Sequence, residues 1–265
     1  MADPSSPILL FDSGVGGLTV YDALRAVLPH APVIYAADLA GLPYGTKTEA
    51  QIAARVAGLL GRMAERYQPR LACIACNTAS TIALGMVRDV LEIPVVGTVP
   101  AIKPAAALTQ TGTIGLVGTE VTIRQAYVDD LEARFAQGKR LIRIAAPGLV
   151  AAAEAKLRGH PVDPALIAET RAQLMAMPGA ADIDTLVLAC THFPLLADEL
   201  AAAFGPQVHQ VDGAHGIARR IAHLLEGQSF AASGPNRFVI TGLASGAEGL
   251  APALAARGFG AAEVF

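Results

Sequence analysis

Two cysteines in this chain of 265 residues stand where thiol chemistry is possible. Leu71 to Ala75 is an apolar run long enough for one buried strand and too short for a buried helix. At Cys76 the character changes to Cys-Asn-Thr-Ala-Ser, which opens a helix whose free amides Asn77 or Thr78 can cap. The pattern recurs in the second half. Thr185 to Ala189 is apolar, Cys190-Thr191-His192 follows, and Phe193-Pro194-Leu195 opens the next helix. Open α/β sheets bind ligands at the carboxyl ends of their strands. The partial positive charge of a helix N-terminus is expected to bring Cys76 to the thiolate more readily than a free cysteine of pKa about 8.5.

Two thiols on opposite walls of one cleft suit proton exchange at a single carbon. A racemase removes hydrogen from one face and returns it to the other, which one fixed base does poorly. The thiols then hold unlike states, one thiolate and one thiol, and exchange roles with direction. Amides and hydroxyls at the strand ends must stabilise the negative charge that develops. No lysine accompanies these motifs, so nothing asks for pyridoxal phosphate.

Other readings of the same residues are weaker. Free cysteine often behaves as a small buried hydrophobe, the reading adopted for Cys73 inside its strand. Cys73 and Cys76 have the spacing of a redox dithiol, and with Cys190 and His192 they have the ligand types of a zinc site. Residues three apart in a strand point to opposite faces, which separates the two sulfurs. His192 either caps its own helix or manages the proton of Cys190, a task its unperturbed pKa near 6.5 suits. Gly14-Val15-Gly16-Gly17 follows a strand like a dinucleotide loop, but Thr19 stands where the third glycine belongs. What remains is a tight turn whose amides can hold a carboxylate. Asp12, at its start, is a helix cap or a proton carrier. Glu154 reads as a solvated helix face and Pro43-Tyr44-Gly45 as a loop.

The elements that must position these groups alternate. Strands over 8–11, 33–36, 71–75 and 93–96 are separated by helical stretches, one of them starting at Lys47 or Thr48 and ending near Tyr67. After Thr98-Val99-Pro100 the alternation restarts, with strands over 113–117, 141–145, 185–188, 208–211 and, last, 237–241. Such alternation calls for βαβ units and parallel sheets. Leu9 to Asp12 corresponds to Gly115 to Gly118, as Cys76 does to Cys190. The expectation is an α/β protein of two pseudo-symmetric lobes with mainly parallel sheets, the active site in the cleft between them. Residues 1–98 with 212–265 form the lobe carrying Asp12 and Cys76, and 99–211 the lobe carrying Cys190 and His192.

Composition bounds the function. The chain is 53% hydrophobic without tryptophan, and 16% of its residues are charged. A formal charge of −3, with acids and bases scattered, argues against a nucleic-acid partner. No uninterrupted run of about eighteen apolar residues appears, so no membrane span is expected. The start lacks the basic and apolar regions of a signal peptide, and three cysteines make no disulfide framework. A cytoplasmic protein with reduced thiols is the default.

On these motifs the chain resembles the glutamate racemase family of the cofactor-independent aspartate/glutamate racemase superfamily. The resemblance rests on Phe11 to Val20, Leu42-Pro43-Tyr44-Gly45, Cys76-Asn77-Thr78-Ala79-Ser80, Gly118-Thr119 with Thr122-Ile123-Arg124, and Cys190 to Leu196. It implies interconversion of L- and D-glutamate without a cofactor or metal, with D-glutamate entering bacterial peptidoglycan. It implies Cys76 as the base acting on D-glutamate and Cys190 as the base acting on L-glutamate, assisted by Asp12 and His192 respectively. Asp12, Ser13, Pro43, Tyr44, Gly45, Cys76, Asn77, Thr78, Thr119, Cys190, Thr191 and His192 would line the substrate site, and Glu154 falls at a further acidic position. A homodimer is part of the same implication. Ala145-Ala146-Pro147 replaces a more usual Cys-Pro pair and Ala151-Ala152 replaces bulkier residues; with a short stretch before Asp12, an extended regulatory segment of the kind some members carry is not expected. An aspartate racemase of the same superfamily would carry an acidic residue at 192. A non-catalytic binding protein would not need both thiols.

Overall fold

The computed structural model describes residues 3–231 and 234–265. Among the described residues ten strands form two sheets. They are β1 (Ile8–Asp12), β2 (Val33–Ala37), β3 (Leu71–Ile74), β4 (Val95–Gly97), β5 (Thr113–Gly118), β6 (Arg140–Ala145), β7 (Ile183–Ala189), β8 (His209–Val211), β9 (Arg237–Ile240) and β10 (Glu263–Val264). The first sheet has the order β10-β9-β2-β1-β3-β4 and the second β6-β5-β7-β8. Every strand pair is parallel. The chain is α/β, as its alternation predicts.

Period-two alternation divides the first sheet's residues between two cores. Ile8, Leu10, Tyr35 and Cys73 pack with Leu24 of the helix Leu18–Val27 and Ile221 of the helix Ala214–Leu224. Leu9, Phe11 and Ile74 pack with Ile52, Val56 and Leu60 of the helix Glu49–Tyr67. Cys76 joins this second group, so Cys73 and Cys76 are committed to opposite faces. That helix starts in a reciprocal capping box of Thr48 and Gln51. No helix among the described residues is long and apolar enough to cross a membrane.

Strand bounds shift by one or two residues from the sequence reading, and two differences have a plain cause. Pro94 has no N–H to give, so β4 starts at Val95, paired with Ala72, rather than at Ile93. The chain does not finish at β9, because β10 adds a two-residue edge strand beside it. Register aligns the strand ends that matter. Asp12 lies opposite Ala37, and Phe11 opposite both Ala36 and Ile74. Gly118 lies opposite Ala145 and Ala189. Asp12 and Cys76 therefore emerge at one edge of the first sheet, and Thr119 and Cys190 at one edge of the second.

Candidate active site

β1 delivers Asp12 to the start of the glycine turn. Its carboxylate accepts the Ser13 amide at 2.7 Å, the Gly17 amide at 2.5 Å and the Tyr35 hydroxyl at 3.2 Å. The Val15 amide donates at 2.9 Å to Glu154 Oε1. The turn does hold carboxylates, but they are the protein's own. Its small residues have a second cause: a Cβ on Gly16 would lie 2.5 Å from His192 Nδ1, and one on Gly14 would lie 2.4 Å from Glu154 Oε1. The turn is bare because residues of the second half of the chain press against it.

β3 delivers Cys76. The cap of the helix Asn77–Val90 is neither Asn77 nor Thr78 but the Cys76 sulfur, which accepts the Ala79 amide at 3.4 Å from an extended backbone. Ser13 Oγ lies 3.5 Å from the same sulfur. The expected lowering of this thiol's pKa is overturned. Burial pushes Cys76 well above the usual thiol value, and the Asp12 carboxylate adds to the rise, outweighing the Ser13 hydroxyl and the Ala79 amide, which favour the thiolate. Burial and Asp12 both favour the neutral thiol.

β7 delivers Cys190, Thr191 and His192. A tight 3-10 turn, Phe193–Leu196, comes before the helix Ala197–Phe204. His192 Nδ1 lies 3.8 Å from the Cys190 sulfur, and its Nε2 lies 2.8 Å from Glu154 Oε1. Glu154 is no solvated helix face: it is buried within the helix Gly148–Leu157, where Ala152 and Ala153 permit close approach. Burial alone would raise its pKa, but His192, Arg158 and the Val15 amide hold it down at about 2. Burial likewise opposes a charge on His192, yet Cys190 and Glu154 hold the imidazole protonated well above its ordinary value. The two form a buried ion pair beside a thiol.

A pocket enclosing about 590 Å³ of empty space, mouth included, collects these groups. Ser13, Pro43, Tyr44, Gly45, Cys76, Asn77, Thr78, Thr119, Cys190, Thr191 and His192 all line it, with Leu42, Thr46, Glu120, Pro147 and Val150. Asp12 does not line it and stands behind Ser13. Tyr44 is anchored through its hydroxyl, 2.6 Å from Asp38, a buried carboxylate that also takes Arg55 and Thr241. Among the described residues no group of three or more His, Cys, Asp or Glu is set to hold a metal ion.

The defining pattern of the Asp/Glu/hydantoin racemase family matches residues 19–221. The chain belongs to this family. A glutamate racemase of Sphingopyxis alaskensis is 64% identical over 229 residues, covering 86% of this chain and 85% of that one. The crystal structure of Escherichia coli glutamate racemase in complex with L-glutamate and the activator UDP-MurNAc-ala superposes with a TM-score of 0.92. It is 42% identical, with 98% of each chain covered. Glutamate racemase from Thermus thermophilus, in complex with β-chloro-D-alanine, gives a TM-score of 0.79 at 32% identity, over 100% of this chain and 98% of that one.

For a member of a racemase family, what matters is that each sheet contributes one thiol to the same pocket. Hydroxyls join the walls as well. Thr78 Oγ1 lies 3.0 Å from Thr119 Oγ1 and 3.2 Å from Thr122 Oγ1, and Thr119 and Thr122 are 2.9 Å apart. Thr122 is fully buried and escaped the sequence reading as a site residue. The available signals were its place in the motif Thr122-Ile123-Arg124 and its spacing, three residues after the capping Thr119, whose hydroxyl accepts the Thr122 amide. Tyr35 escaped too, bound to Asp12 through a contact no local pattern reveals, whereas Arg158 stands four residues after Glu154, a helical spacing that could have found it.

Proposed function

We propose that this protein is a glutamate racemase that interconverts L- and D-glutamate without a cofactor, using Cys76 and Cys190 as the two proton carriers. The observation that carries the reading is the pair of cysteines at corresponding strand ends of two parallel sheets, both lining one pocket with hydroxyl and amide groups between them. Identity of 64% to a glutamate racemase supports glutamate as the substrate. In this reading Cys76 removes the proton from D-glutamate while Cys190 returns one to the opposite face, and the roles reverse for L-glutamate. His192, fixed by Glu154, serves Cys190. Asp12 serves the other side through the turn that presents Ser13 to Cys76. The chain works as two lobes, 1–98 with 212–265 and 99–211, a division supported by the membership of the two sheets. D-glutamate made in the cytoplasm would supply peptidoglycan synthesis, and the working form would be a homodimer.

Proton exchange in deuterated solvent tests the reading. Deuterium should enter the α-position of glutamate, with loss of optical activity, and not that of aspartate. Exchange into aspartate alone would assign the other substrate, and exchange into neither would leave a binding protein.

The glycine turn gives a further expectation. A methyl at Gly16 meets the His192 ring and its backbone nitrogen at 2.5 and 2.6 Å, closer than real contacts allow, so His192 must move. Misplacing a catalytic group by about 1 Å costs about 10²-fold. Gly16→Ala should lose turnover on that scale while keeping the parent's circular dichroism spectrum, since Gly16 does not have the positive φ that strains an added Cβ. Steady-state racemisation of both enantiomers measures it.

A further inference from the structure

Arg158 follows the helix that carries Glu154 and reaches in two directions. Its Nη1 donates at 2.5 Å to Glu154 Oε2, and at 2.9 Å to the carbonyl of the same residue. Its Nη2 donates at 3.2 Å to the carbonyl of Gly246, in the segment after β9 that belongs to the other lobe. The stem is gripped as well: a Cβ on Gly249, which has φ of +76°, would lie 3.1 Å from Arg158 Cβ. The preceding Leu157 packs against the first sheet's core. The end of this helix is therefore wedged into the opposite lobe, with Arg158 as its polar bond.

We propose that Arg158 is a positioning residue for the reaction: by holding Glu154 and the Gly246 carbonyl at once, it fixes the Glu154–His192 pair against Cys190 only when the two lobes are together. The proposal rests on the glutamate racemase reading. Glu154 Oε1 is filled by Val15 and His192, and Oε2 has Arg158 as its donor. Without the guanidinium, half of a buried carboxylate lacks a partner and turns to find one, and His192 loses the acceptor that orients it. The planar fork offers Glu154 one nitrogen and the Gly246 carbonyl another, where an ammonium has a single nitrogen for both. Lysine at this position keeps the charge near Glu154 and gives up the carbonyl.

The test is a double-mutant cycle with a rescue. Arg158→Met should lower kcat for L-glutamate about tenfold, within the coupling that contacting residues show, with KM little changed. In a Glu154→Gln background the same substitution should cost nothing further, and Arg158→Lys should keep more of the parent kcat than Arg158→Met. Equal losses in both backgrounds would make Arg158 a packing residue and overturn the proposal, as would a lysine variant no better than methionine. A parent that does not act on glutamate would reject the functional reading instead. The cycle is then read by thermal unfolding, where Arg158→Met should lower Tm more in the parent background than beside Glu154→Gln. An equal drop in both overturns the proposal.

Discussion

Cys76→Ala and Cys190→Ala are each expected to lose racemisation of glutamate in both directions, by more than the roughly 10²–10⁴-fold that one general acid or base contributes. Each direction needs one thiolate and one thiol, so removing either sulfur removes a base from one direction and an acid from the other. The resting state fits one half of this scheme. Cys76 is held neutral by burial and by Asp12, and a neutral thiol is the acid that L-glutamate needs from the far side when Cys190 takes its proton. For D-glutamate, Cys76 must first lose its proton. The helix N-terminus that it caps and the Ser13 hydroxyl are the groups placed to stabilise the thiolate. Removal of one sulfur leaves a one-base enzyme. Cys190→Ala should still eliminate from a D-glutamate analogue with a leaving group, and Cys76→Ala from its L counterpart. Racemisation is followed by circular dichroism of the amino acid and elimination by the keto product. Full racemisation by either alanine variant would sink the two-thiol mechanism.

What could be read in advance follows how locally each feature is encoded. Apolar runs bounded by a polar switch fixed the strands before Asp12, Cys76, Thr119 and Cys190, because strand length and helix caps are local matters. The repeat of that switch was enough to pair the thiols, and parallel strands put both at carboxyl ends. The ionisation of Cys76 was misjudged because a helix terminus is visible in the sequence and burial beside Asp12 is not. Glu154 looked solvated because its own helix, rich in alanine, says little about which side faces the core. Two of its partners, His192 and Val15, come from distant segments. The glycines read as a tight turn with exposed amides. Their actual constraint is the approach of His192 and Glu154, a contact across more than a hundred residues of chain. β10 was overlooked because two residues at a sheet edge carry no periodicity.

His192→Asn and Glu154→Gln should each lower kcat/KM by about 10²–10⁴-fold, the scale of a lost proton-managing group, and the double variant should be little worse than the more damaged single one, because the two act as one unit. Glutamine at 154 can still accept from His192 but no longer holds it charged. Asparagine at 192 leaves a buried carboxylate facing an amide. The enantiomers have equal free energy, so kcat/KM must fall equally in both directions, and asymmetry can appear only in kcat and KM separately or in isotope effects. Since His192 lies beside Cys190, His192→Asn should weigh on kcat for L-glutamate. Asp12→Asn should weigh on kcat for D-glutamate, since its amide would face the Ser13 or Gly17 N–H and disturb the turn behind Cys76. The same pair should mark the pH dependence of stability. Glu154, held at about 2 against an ordinary 4.5, contributes fully above pH 4.5 and loses its contribution as pH falls towards 2. His192, raised above its ordinary 6.5, contributes fully below pH 6.5 and loses its contribution as pH rises through the raised value. The gap in Tm between parent and Glu154→Gln should therefore be widest between pH 4.5 and 6.5, closing as pH falls towards 2 and narrowing, with Arg158 and the Val15 amide still in place, as pH rises through the raised His192 value. A gap that does not vary with pH, with kcat for α-deuterated L- and D-glutamate within about twofold of the parent in every variant, would reduce His192 and Glu154 to packing residues and leave the thiols to manage their protons alone.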